Sequence, residues 1–98
     1  MPYIKSEERE AIDDAALALA RAIAGKGNGV GHLNFAITRL LVYWLKKEKL
    51  SYASINAAMG AMDCVSRELY RRVAGSYEDV KRVAHGDVYS ELFSRWEK

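Results

Sequence analysis

From Leu33 to Leu45 the chain carries one charge, Arg39, and from Leu50 to Met62 it carries none. The apolar residues of both stretches recur at helical spacing: Leu33, Ile37, Leu40, Leu41 and Trp44 in the first, then Ile55, Met59 and Met62 in the second, whose stripe continues beyond it through Ser66 to Leu69 and Val73. Polar residues are too few to solvate the back of either helix, so both must be covered on more than one side. Phe35, Val42 and Tyr43 lie near the far side of the first stretch, with Arg39 and Lys46. Ala57, Gly60, Ala61 and Cys64 form a strip of small side chains on the back of the second, where another helix could come close.

The flanking segments follow the same period. Ser6 is placed to cap a first helix with the acidic turn Glu7, Glu8 and Glu10, and its stripe is Ile12, Ala15, Ala16, Leu19 and Ile23. Alternating glycines at 25, 27, 29 and 31 end that helix and predict a flexible connection. Ser51 is placed to cap the third helix. Gly75 and Ser76 predict a break, with Ser76 and Asp79 as a capping box opening a short fourth helix that ends near Gly86. Leu92, Phe93 and Trp96 suggest a helical tail. The expected fold is all-α: a compact bundle of three main helices near 6–24, 32–48 and 51–74, a short fourth near 76–85 and the tail, in one domain over residues 1–98.

Composition narrows the partners. Half the residues are hydrophobic and 29% charged, an ordinary globular profile. A net charge of +2 is too small to demand a polyanion, and the one basic cluster, Lys46, Lys47 and Lys49, suits a helix C-terminus. Nucleic acid is therefore a lesser alternative. The apolar runs fall short of the ~20 residues that span a bilayer, and no secretory signal pattern opens the chain, so a cytoplasmic protein is expected. The lone Cys64 excludes an internal disulfide, and its place on the small-residue strip predicts a buried, inert thiol.

No catalytic constellation assembles. The glycine-rich segment follows a helix, not a strand, and lacks the Lys-Ser or Lys-Thr pair of a phosphate loop. Glu7, Glu10 and Asp14, or Glu78, Asp79, Asp87 and Glu91, do not form the paired carboxylate motifs on successive core helices that a magnesium-dependent hydrolase needs. No metal ligand, cofactor or catalytic residue is assigned. The arginines near the end of the third helix have partners in sequence: Asp63 with Arg67, Glu68 with Arg72.

Pro2-Tyr3-Ile4-Lys5, Leu33-Asn34, Leu50-Ser51-Tyr52 with Asn56, Tyr70-Arg71-Arg72-Val73, Tyr77-Glu78-Asp79 with Lys81, and Gly86-Asp87-Val88-Tyr89 together resemble a family of short microbial and phage proteins of unknown function. The resemblance spans about residues 2–89. It implies an all-α fold and transfers no functional residue.

The expectation is a non-catalytic interaction module that forms a homo-oligomer, a dimer above all, through Phe35, Val42, Tyr43, Ala57, Gly60 and Ala61. The alternatives are a ligand-binding or metal-dependent hydrolytic protein acting on a phosphorylated small molecule, and a nucleic-acid-associated protein. Any further site is expected among Arg71, Arg72, Tyr77, Glu78, Asp79, Lys81, Asp87 and Tyr89, where both charge signs and tyrosines gather in a segment broken by Gly75 and Gly86. A structural role for the same residues, with Asp87 as a cap, is the rival.

Overall fold

The computed structural model describes residues 2–25 and 29–93. Among these there is no strand, and the chain is all-α. A 3₁₀ turn, Ser6–Glu8, leads into α1, Arg9–Ala24; α2 spans Val30–Glu48 and α3 Tyr52–Leu69. A π-helical turn, Tyr70–Ala74, passes directly into α4, Gly75–His85, and α5, Ser90–Phe93, follows. Contacts divide the chain into two units, Met1–Met62 and Asp63–Lys98. No described helix is long and apolar enough to cross a membrane.

In the first unit α2 lies between two neighbours. Ala36 is buried where α1 and α2 approach, since a methyl side chain keeps the backbones close. On its other side, Leu41 and Leu45 face Ile55, Ala58, Met59 and Met62 across a cleft of about 290 Å³. The buried set of the described residues is correspondingly small: Ala36, Ala58 and Ser54. Leu33, Leu40 and Met59, expected to fill a core, are more than half exposed, and so are Leu69 and Val73 of the second unit. Ala36 is the buried residue at the α1–α2 approach, and the long side chains beside it on α2, Phe35 and Leu40, remain exposed.

The turn between α2 and α3 is the most closely specified part of this unit. Ser51 Oγ accepts the Ser54 N–H at 3.1 Å, and Ser54 Oγ accepts the Ser51 N–H at 2.9 Å. This is a reciprocal capping box with serine in the place of glutamate, and it bears out the cap expected at Ser51. The Ser54 hydroxyl also reaches the Lys49 carbonyl, at 3.0 Å. Lys49 has φ 68°, a left-handed backbone that side chains disfavour, and Ser54 holds it from the far side of the turn.

Several local expectations are corrected. Ser6 does not cap α1; it lies inside the 3₁₀ turn that Lys5 precedes. Helix α2 begins at Val30, two residues early, because Gly29 takes the cap position and its carbonyl accepts the His32 and Leu33 N–H groups. Gly31 is therefore helical, and the remainder of the glycine connection, 26–28, lies outside the described residues. Among the described residues, no helix covers the small strip on α3. Ala57, Gly60, Ala61 and Cys64 are exposed, and a methyl group added at Gly60 would meet nothing within 4 Å.

In the second unit the break expected at Gly75 is absent. The Gly75 N–H bonds to the Tyr70 carbonyl five residues back, widening the helix by one residue without interrupting it. A Cβ at Gly75 would stand 3.2 Å from that carbonyl, so a larger residue would require the carbonyl to give by a few tenths of an ångström. Ser76 does not form a capping box with Asp79; its hydroxyl donates back to the Arg72 carbonyl at 3.3 Å. Helix α4 ends as expected at Gly86, whose φ of 96° suits a residue without a side chain.

Candidate functional site

Of the concave places among the described residues, the two that concern the expected site residues lie one in each unit. Where α1 and α2 diverge above Ala36 they leave an open groove of about 720 Å³. Its walls are Leu19, Ala22 and Ile23 from α1 and His32, Phe35, Leu40 and Tyr43 from α2, an almost wholly apolar lining. Phe35 is 67% exposed, and Leu40 and Tyr43 are each 59% exposed. Arg39, the one charge among the wall residues, is turned along its own helix: its guanidinium lies 4.9 Å from the Tyr43 ring centroid and Nη2 donates to Tyr43 Oη at 3.2 Å.

Of the residues expected to form an interface, the groove unites Phe35 and Tyr43. Val42 is half-buried and does not line it, and Ala57, Gly60 and Ala61 belong to the exposed strip on α3. The α1 wall was not expected, because Leu19 and Ile23 sit on a stripe that by periodicity alone reads as covered core. What distinguishes them is their neighbour: they face the far side of α2, where Phe35 and Tyr43 project.

The second place is a hollow of about 600 Å³ on α4 and the segment after it. Glu78, Asp79, Lys81, Asp87 and Tyr89 of the expected cluster line it, together with Arg82, His85, Val88 and Phe93. Arg71, Arg72 and Tyr77 are not among its lining residues. The charges around it are matched locally. Asp79 Oδ1 is 3.8 Å from Arg82 Nε, the Lys81 ammonium lies 5.6 Å from the centre of the Tyr77 ring, and Asp87 Oδ1 accepts the Tyr89 N–H at 2.9 Å. Ahead of it on α3, Arg67 pairs with Asp63 at 3.0 Å as the spacing foresaw, while Glu68 meets Arg71 at 3.9 Å, one position before the residue expected.

Tyr70, outside the expected cluster, is the link that sequence spacing missed. Its hydroxyl donates to Glu78 Oε2 at 2.6 Å across the π turn. That hydrogen bond and the Glu78 charge, with smaller contributions from burial, Tyr89 and Asp79, raise its pKa above the ordinary 10.0. Residues eight apart on an unbroken α-helix are separated by ~12 Å along the axis, so no pairing rule points to this couple.

Cys64 is exposed, which corrects its expected burial. Among the described residues no three His, Cys, Asp or Glu side chains lie close enough together to hold a metal ion.

The family model for a domain of unknown function, DUF6899, matches residues 1–88. The chain belongs to the DUF6899 family. That match covers the whole groove and the hollow as far as Val88. No curated protein and no solved structure matches the chain.

Proposed function

We propose that this DUF6899 protein is a small cytoplasmic, non-catalytic interaction module that works as a homo-oligomer, with the dimer as its basic form. The observation that carries this is the groove of the first unit. Phe35, Leu40 and Tyr43 are large, more than half exposed, and share one concave apolar lining with Leu19 and Ile23. Each offers roughly 100 Å² of side chain to solvent. Leu33 and Trp44 of the same helix are exposed as well but lie outside the groove lining, and Phe35, Leu40 and Tyr43 together leave roughly 300 Å² of apolar surface uncovered. A contiguous apolar patch of that size on a protein surface is often functional.

The polar hollow supports a structural part. Its charged groups find partners within their own helix or turn, and Asp87 accepts the Tyr89 N–H ahead of α5. Groups already satisfied offer a ligand little that water does not.

Light scattering at tens of micromolar tests the proposal. The expected mass is twice the chain's 11.0 kDa. Phe35→Glu, placed where the side chain is mostly exposed, should keep the helical circular dichroism and return the mass to that of one chain. A wild-type protein of monomer mass would overturn the proposal.

A further inference from the structure

We infer that the junction of α3 and α4 has two registers, and that the Tyr70–Glu78 hydrogen bond selects the π register over the α-helical one. Over Tyr70–Ala74 the chain takes up one residue more than an α-helix holds in the same length, with the Gly75 N–H bonded to the Tyr70 carbonyl. The positions on either side are already ordinary helix: Leu69 has φ −60° and ψ −45°, and Gly75 has φ −61° and ψ −42°. Passing to the α register therefore asks only that the turn tighten and that the Gly75 N–H move from the Tyr70 carbonyl to that of Arg71.

The choice falls to Tyr70 and Glu78 because of where each register puts them. With about 3.6 residues per turn, positions eight apart on an unbroken α-helix point about 80° away from each other. The residue taken up by the π turn makes them equivalent to positions seven apart, which brings them within about 20° of each other and about 10 Å along the axis. A tyrosine and a glutamate reaching toward each other span that distance, and the hydroxyl donates to Glu78 Oε2 at 2.6 Å. In the α register the same side chains part and the bond is lost. The neighbouring contacts are indifferent to the choice. Asp63 and Arg67 both precede the turn, and Asp79 and Arg82 both follow it, so each ion pair keeps its own geometry in either register. The Ser76 hydroxyl bonded to the Arg72 carbonyl makes a four-residue back-bond that an α-helix accepts as well. The Tyr70–Glu78 bond can also open without unfolding, because Tyr70 is 55% exposed and the bond lies at the surface. Its opening turns α4 by about 100° and advances it by about 1.5 Å relative to the last turn of α3, carrying the charges that line the hollow to another face of the joined helix.

NMR couplings through hydrogen bonds, which identify the carbonyl that accepts a given amide, test this at Gly75. In the wild type the Gly75 amide should couple to the carbonyl of position 70. Tyr70→Phe removes only the hydroxyl from a mostly exposed ring and should move the coupling one residue on, to Arg71. Glu78→Ala should do the same, whereas Glu78→Gln, whose amide oxygen still accepts from Tyr70, should leave the coupling at position 70. A coupling that stays at position 70 in Tyr70→Phe or in Glu78→Ala would overturn the selection, and so would one that moves in Glu78→Gln. Loss of the coupling to both carbonyls in these variants would overturn the second register, and a wild-type coupling to Arg71 would overturn the inference at its start.

Discussion

The two units solve opposite problems. In the second, the polar groups around the hollow are answered from nearby: Tyr70 by Glu78, Arg82 by Asp79, Lys81 by the Tyr77 ring, the Tyr89 amide by Asp87. In the first, polar demands are met at one turn by Ser51 and Ser54, and the apolar residues of α1 and α2 are left facing solvent in a groove. Charges matched from their own helix ask little further of their surroundings, although apolar residues of this unit, Val80 and Val83 among them, are exposed as well. A concave apolar surface asks more, because roughly 25 cal/mol is available for every Å² of it removed from water. That difference is why the proposal rests on the groove and not on the charged cluster that attracts attention in the sequence.

The largest effect expected within one chain comes from the turn that holds the first unit together. Ser54→Ala removes the acceptor of the Ser51 N–H and the donor to Lys49, both around a buried position, and should cost about 2 kcal/mol in urea unfolding followed by Trp44 fluorescence. An unchanged midpoint would mean that the turn is held by other contacts. The second unit should respond less and more locally. Gly86→Ala places a side chain at φ 96° and should cost about 1 kcal/mol, seen as lost hydrogen-exchange protection at the end of α4 with the α2–α3 turn unaffected.

How much of this was legible beforehand differs from residue to residue. The helices were, because apolar periodicity survives without knowledge of partners: α1, α3 and α4 end within a few residues of expectation. The cap at Ser51 was legible and those at Ser6 and Ser76 were not, since a serine hydroxyl can serve a helix start or bond back to a carbonyl inside one, and spacing does not separate the two. The π turn left no sequence signal beyond Gly75. Phe35 and Tyr43 were found because they stand off the main stripe of α2. Leu19 and Ile23 were missed because a stripe that lines an open groove has the same period as one that lines a core.

The smallest expected effect sharpens the contrast further. Tyr70 is held protonated by its bond to Glu78 and by that carboxylate's charge, so its pKa in the folded chain lies above 10.0. Its stabilising contribution is therefore complete below pH 10.0 and is lost as pH rises through the raised value. Alkaline titration of the wild type against Tyr70→Phe should show the extra loss only in the wild type. The same high-pH loss in both proteins would remove Tyr70 from the description of the π turn.

The dependence of the melting temperature on protein concentration tests most directly whether the groove is a covered surface in the working protein. If a second copy fills it, dilution by about a hundredfold must lower the melting temperature, because association stabilises the folded chain by mass action. Phe35→Glu should melt at one temperature throughout the range. A wild-type melting temperature that stays constant over the same dilution, at a mass of one chain, would contradict the assignment of the groove to a second copy.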